Sequence, residues 1–224
     1  TLLTRSVVLA SFSAFLGSLD TALNISFPAI TAAFSLEVSS IQWVIVGYVL
    51  THASLLLGCG RLADVWGHGR VLTVGLLVSA IGFLGCGLAP EFSWLVAARV
   101  AQGVGAALMS GSAPALVTLA VPPEARGRAL GVLQMSMAAG HAVGPLIGGV
   151  LVDVFGWRTV FLFRVLPALI LAWFAVTKLP PLHQSANTQR FDLLGALTFA
   201  ASLAGLLFAI SQSRRFVLTS TNVM

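Results

Sequence analysis

The sequence predicts an all-α integral membrane protein: a six-helix bundle made of two inverted three-helix repeats, followed by one further transmembrane helix. Three observations carry that prediction. Of 224 residues, 58% are hydrophobic and only 8% are charged, against about 25% charged in soluble domains. The apolar residues fall into seven stretches, each long enough to cross a hydrocarbon core of about 30 Å. An eight-residue motif recurs three stretches later. The net charge of +5 reflects scarce acids rather than a basic patch, so nucleic acid is excluded as a partner and the lipid bilayer is the expected surroundings.

The spans are expected at 6–30, 41–62, 71–89, 94–120, 129–152, 159–177 and 193–212. Short polar joints separate them. The first stretch is too long for the apolar core of a signal peptide, about 7–15 residues. With the N-terminus in the cytoplasm of a cell-membrane protein, the inner joints hold Arg5, Arg61, Arg70, Arg126, Arg128, Lys178 and Arg190. The outer joints before the seventh span hold only Arg158. That is the expected inside bias of positive charge, with Arg214 and Arg215 against it. The domain reading is a six-helix half over 1–178, a cytoplasmic linker over 179–191, and a seventh helix with its tail over 192–224.

The repeat pairs Gly60-Arg61-Leu62-Ala63-Asp64-Val65-Trp66-Gly67 with Gly149-Val150-Leu151-Val152-Asp153-Val154-Phe155-Gly156. The offset is 89 residues. Three intervening spans put the two copies on opposite membrane faces, which is an inverted-topology repeat of the kind that builds transporter halves.

Asp20 lies in the first span, about 22 Å from its inner end at 1.5 Å per residue. A carboxylate at that depth is costly, and a buried acid held near neutrality can load and release protons. The alternative is an acid that only ties helices together. Arg99 lies about 9 Å into the fourth span. It either snorkels outward or faces Asp20 across the bundle. Gln102, three residues on, shares its helix face. Asp64 sits in a tight turn at the inner surface, where a solvated acid is the simpler reading. Gly140, Gly144 and Gly148 recur every four residues in the fifth span, with Pro145 and Gly149 beside them. They form a flat face for close helix approach, and Pro145 is expected to kink the helix. His52 and His141 read as packing or hydrogen-bonding residues rather than proton relays. Cys59 and Cys86 fall near opposite membrane faces, too far apart to bridge. There is no zinc spacing, no phosphate-cradling GxxxxGK[ST] loop and no nucleophile–base arrangement. An enzyme is not expected, nor is a cofactor or metal.

The motifs together resemble the fourteen-span drug:proton antiporter branch of the major facilitator superfamily, over nearly the whole chain. Leu19-Asp20-Thr21 through Asn24 to Pro28 is similar to LDxTxxNxxxP in the first span. Gln42-Trp43 with Tyr48 is similar to QWxxxxY. Gly60 to Gly67 matches GxLADxxG, Arg99 to Gly105 matches RxxQGxG, and Gly140 to Gly149 matches the antiporter signature GxxxGPxxGG. Gly156-Trp157-Arg158 with Phe161-Leu162 matches GWRxxFL, and Phe191-Asp192 with Gly195 resembles the start of the extra seventh span.

The resemblance implies proton-coupled export of small amphipathic drugs or antibiotics. Asp20 is then the protonation site and Arg99 its tuning or relay partner. Asn24, Gln42, Trp43 and Gln102 line the cavity or extend its polar network. Gly60, Asp64, Gly67 and Arg70 form an inner gate, and the glycine face packs against a second half. Two departures stand out. Only Arg70 remains of the basic positions in the gate loop pattern DRxGRR, and Arg164 replaces the Asn usual after Phe161-Leu162. The implied partners are a small-molecule substrate, protons, and a C-terminal half or second copy that the seven spans lack. Alternatives are a non-transporting remnant and proton-coupled uptake. One half alone, as a monomer, is not expected to transport, and the glycine face would then lie open to lipid.

Overall fold

A computed structural model describes residues 4–37 and 39–179, together with helical positions Gly195, Thr198, Ala201, Ser202 and Gly205. The expected linker beyond Leu179 and the rest of the seventh span lie outside the described residues. The helices are α1 (Arg5–Ser18), α2 (Leu23–Ala33), α3 (Gln42–Trp66), α4 (His68–Gly87), α5 (Phe92–Leu119), α6 (Arg126–Phe155) and α7 (Thr159–Lys178). No strand occurs among the described residues. α1 and α2 form one membrane-length unit, Arg5–Ala33, and the other five helices each reach membrane length. These six are the first six expected spans, with ends shifted by a few residues. Large apolar side chains such as Leu57, Ile81, Leu146, Val154 and Val176 point outward, as they must where lipid is the solvent.

The inverted repeat is visible in the backbone. Gly67 ends α3 and Gly156 ends α6, with φ of 94° and 84°. Each donates its N–H back to the carbonyl four residues earlier, Gly67 to Ala63 at 2.9 Å and Gly156 to Val152 at 3.0 Å. Only glycine takes this left-handed cap without strain. Packing follows the same exchange: α3 lies on α5, and α6 lies on α1. The middle span of each repeat thus packs against the first span of the other. α4 packs on both α5 and α7. The main apolar core joins α1, α4, α5, α6 and α7 through Val7, Leu16, Leu72, Leu76, Leu116, Leu133 and Ala172.

The glycine face of α6 requires a correction. It neither lies open nor awaits a second half. A methyl group on Gly140 would sit 2.6 Å from the carbonyl oxygen of Phe15, one on Gly148 would sit 2.6 Å from that of Ala22, and one on Gly144 would strike the Thr21 hydroxyl. The small face is already used to bring α6 against the first span of the same bundle. Gly149 points elsewhere, with no atom of the described residues within 4 Å of its methyl position. α6 continues as one helix through Pro145.

Candidate functional site

The first span is not a continuous α-helix. A 3-10 turn, Leu19–Ala22, separates α1 from α2, and it carries Asp20. Local chemistry favours a break here. The Thr21 hydroxyl donates to the Ser18 carbonyl at 3.2 Å and across to the His141 carbonyl of α6 at 3.3 Å. Such short hydroxyl side chains compete with the helical ladder. Irregular backbone at membrane depth survives only where protein or a water-filled cavity surrounds it, and here the α6 glycine face packs directly against the break.

Four donors converge on the Asp20 carboxylate. Arg99 of α5 grips it with both fork nitrogens, Nη1 to Oδ1 at 2.9 Å and Nη2 to Oδ2 at 2.8 Å. Gln102 Nε2 donates to Oδ1 at 3.0 Å. Arg164 of α7 donates Nη1 to the same Oδ1 at 2.9 Å. Arg99 is itself held in place: Nε donates to the Val44 carbonyl of α3 at 3.0 Å, and Nη1 to Gln102 Oε1 at 2.6 Å. Its guanidinium lies 4.3 Å from the Tyr48 ring centre. Arg164 Nε donates to the Val160 carbonyl at 3.1 Å, and its guanidinium lies 4.4 Å from the Phe83 ring. One carboxylate thereby ties the first, fourth and sixth spans, and through Arg99 the second. Bidentate, charge-assisted bonds of this kind are the strong ones. Arg99 and Arg164 are buried at 1% and 0% exposure, whereas the Asp20 side chain keeps 16%. The cluster is therefore approached from the Asp20 side.

Of the two readings of Arg99, facing Asp20 is the observed one; it does not snorkel. Gln102 joins the cluster. Asn24, four residues past Asp20 on α2, and Gln42, at the first turn of α3, are exposed and stand outside this hydrogen-bonded group. Trp43 is half-buried next to Val44, whose carbonyl holds Arg99. His52 stacks on Tyr48, with ring centres 5.8 Å apart, and its Nε2 lies 3.2 Å from the Ser110 hydroxyl. A polar line thus runs from Asp20 along the α3–α5 interface.

Arg164 is the residue that sequence reasoning undervalued. It stood out only as a departure from a motif. The rule that singles out Asp20, an ionisable group within an apolar span, applies equally to Arg164, which lies five residues beyond the start of α7. Tyr48, as a ring facing Arg99, had no comparable signal.

The expected gate residues lie apart from this cluster. Asp64 is sixteen residues beyond Tyr48 on α3, about 24 Å along the axis. It is half-exposed, 3.6 Å from Arg61 Nη1 and 3.7 Å from His68 Nε2. Arg70 is exposed. Gly67 supplies the turn, and Gly60 packs against Gly111 of α5.

Comparisons with known proteins give the arrangement its context. The family described as Major Facilitator Superfamily matches residues 7–221. The chain is 30% identical over 207 residues to "Riboflavin transporter RibZ" of Clostridioides difficile (strain 630), covering 92% of this chain and 45% of that protein. It is 38% identical over 218 residues to "Cephamycin export protein CmcT" of Amycolatopsis lactamdurans, covering 94% of this chain and 44% of that protein. The chain therefore spans less than half the length of these two relatives. A solved bacterial homologue of the human lysosomal transporter Spinster, inward-facing and unoccupied, superposes with a TM-score of 0.66 at 22% identity over 86% of this chain and 46% of that one, a likeness of fold. With six membrane-length helices among the described residues, a backbone-level inverted repeat and these matches, this multi-pass membrane chain belongs to the Major Facilitator Superfamily.

Proposed function

We propose that the protein exports small amphipathic compounds, drugs or antibiotics among them, across the cell membrane in exchange for protons, with Asp20 as the coupling site. The observation that carries this reading is the Asp20 carboxylate, held in a helix break by arginines from two other spans. Protonating Asp20 removes the charge that grips Arg99 and Arg164. Bonds from the first span to the fourth and sixth weaken together, and with them the first span's link to the second through Arg99, which keeps its own bond to the Val44 carbonyl of α3. A proton is thereby converted into a change in how four helices are tied, which is what alternating access needs. A relative named as a cephamycin export protein supports the export direction.

In this reading the N-terminus is cytoplasmic. Asp64, Gly67 and Arg70 contribute to the inner gate, against a second six-helix half joined through the 179–191 linker and the seventh helix. Gln102 completes the polar network, and Asn24, Gln42 and Trp43 line the cavity. The test is pH-gradient-driven efflux from proteoliposomes holding the full-length protein. Asp20→Asn is expected to lose gradient-driven efflux while retaining substrate binding. Undiminished gradient-driven efflux by that variant would overturn the assignment.

A further inference from the structure

The polar cluster contains more cation than anion. Two guanidinium groups face one carboxylate, and no second acid pairs with either arginine among the described residues. Hydrogen bonding is equally unbalanced. Asp20 Oδ1 receives three donors, from Arg99, Gln102 and Arg164. A carboxylate oxygen offers about two lone-pair sites. Meanwhile Arg164 Nη2 is buried without any acceptor among the described residues. A buried charge with no counter-charge and a donor with no acceptor are both costly, and each calls for the same remedy.

We propose that the cluster is an anion site, and that the compounds it takes are amphipathic molecules carrying a carboxylate or sulfonate on an apolar body. The anionic head takes over part of the donor set now crowded on Oδ1, entering from the Asp20 side, which is where the cluster has exposed surface. Arg164 swings its fork, Nη1 and Nη2 together, onto the two oxygens of the incoming head, a geometry that guanidinium and carboxylate share. Arg99 stays on Asp20. The aromatic rings of Phe83 and Phe161 back the Arg164 guanidinium and keep it in a poorly hydrated setting, where a counter-anion is held more strongly. A cationic compound of equal size meets an excess positive charge and is rejected. This inference rests on the same cluster as the transport reading and names its substrate class.

The experiment measures binding without any gradient. The purified full-length protein, in nanodiscs of neutral phosphatidylcholine at low fixed chloride, is titrated with 4-phenylbutyrate and with the matched cation 4-phenylbutylammonium. Calorimetry and the thermal unfolding midpoint are the readouts. The anion is expected to bind about tenfold or more tightly than the cation, as one unbalanced charge implies. Arg164→Asn should erase that preference, and Arg164→Lys should keep part of it. Equal binding of the two probes overturns the proposal. So does an anion preference that survives in Arg164→Asn protein with an unchanged elution profile. If chloride alone reproduces the whole stabilisation and 4-phenylbutyrate adds nothing, the site is an inorganic-ion site and the organic class is wrong. If phosphatidylglycerol in the discs abolishes 4-phenylbutyrate binding, a lipid headgroup is the occupant and the proposal fails. The transport reading fails separately: an anion that binds but never crosses proteoliposome membranes overturns transport and leaves the site. Gradient-driven transport of another compound, with no anion bound, does the reverse.

Discussion

At the scale of single residues, Asp20 carries a load that explains why its replacement cannot be silent. Removing its charge leaves two buried guanidiniums without an anion, and breaking a buried pair in this way costs about 3–5 kcal/mol. Asp20→Asn is therefore expected to lower the unfolding midpoint as well as coupling. The double variant Asp20→Asn with Arg164→Asn, which removes one excess charge, should recover part of that loss in the same melting experiment. Arg99 is equally specific. It uses Nε and both terminal nitrogens at once, a planar fork that lysine lacks. Arg99→Lys is expected to lose gradient-driven efflux nearly as completely as Arg99→Ala. Efflux within about threefold of wild type for the lysine variant would show that charge alone suffices.

At the scale of elements, the α6 glycines provide an internal control. Gly148→Leu forces a side chain into the Ala22 backbone, whereas Gly149→Leu enters open space. Overpacking of a tight interface costs about 1–3 kcal/mol. The first substitution is expected to lower the melting temperature and impair efflux, and the second to leave folding intact. Equal effects would show that α6 does not hold the first-span break as described. Sequence periodicity found the flat face, and the family resemblance assigned it to a second half, whereas it packs on the first span. Three glycines in register specify that a backbone comes close, not which one. Likewise, the repeat motif was legible as eight paired residues, but only the backbone showed that Gly67 and Gly156 are matching left-handed caps.

At the scale of the whole molecule, the distribution of positive charge predicts a cytoplasmic N-terminus. Cys59 and Cys86 are both buried, so they report poorly to aqueous thiol reagents. A cysteine placed at exposed Arg70 is expected to react only from the cytoplasmic side, and one at exposed Glu91 only from outside. Strong external labelling at position 70 would reverse the topology. His68 is a poor choice for this purpose, because it is 2% exposed.

The sequence by itself determined that this chain lives in lipid, where its first six spans run and that they form an inverted repeat, because spacing, hydrophobicity and glycine position act along the chain and can be counted. It also marked Asp20 and Arg99 as ionisable groups at depth. Only the tertiary structure decided their partners. Pairing across helices depends on rotation about each helix axis, and a span hydrophobic on nearly every face gives no phase for that rotation. Hence the Arg164 contact, the Tyr48 ring beneath Arg99 and the glycine face against the first-span break became visible only once six helices were packed around a single carboxylate.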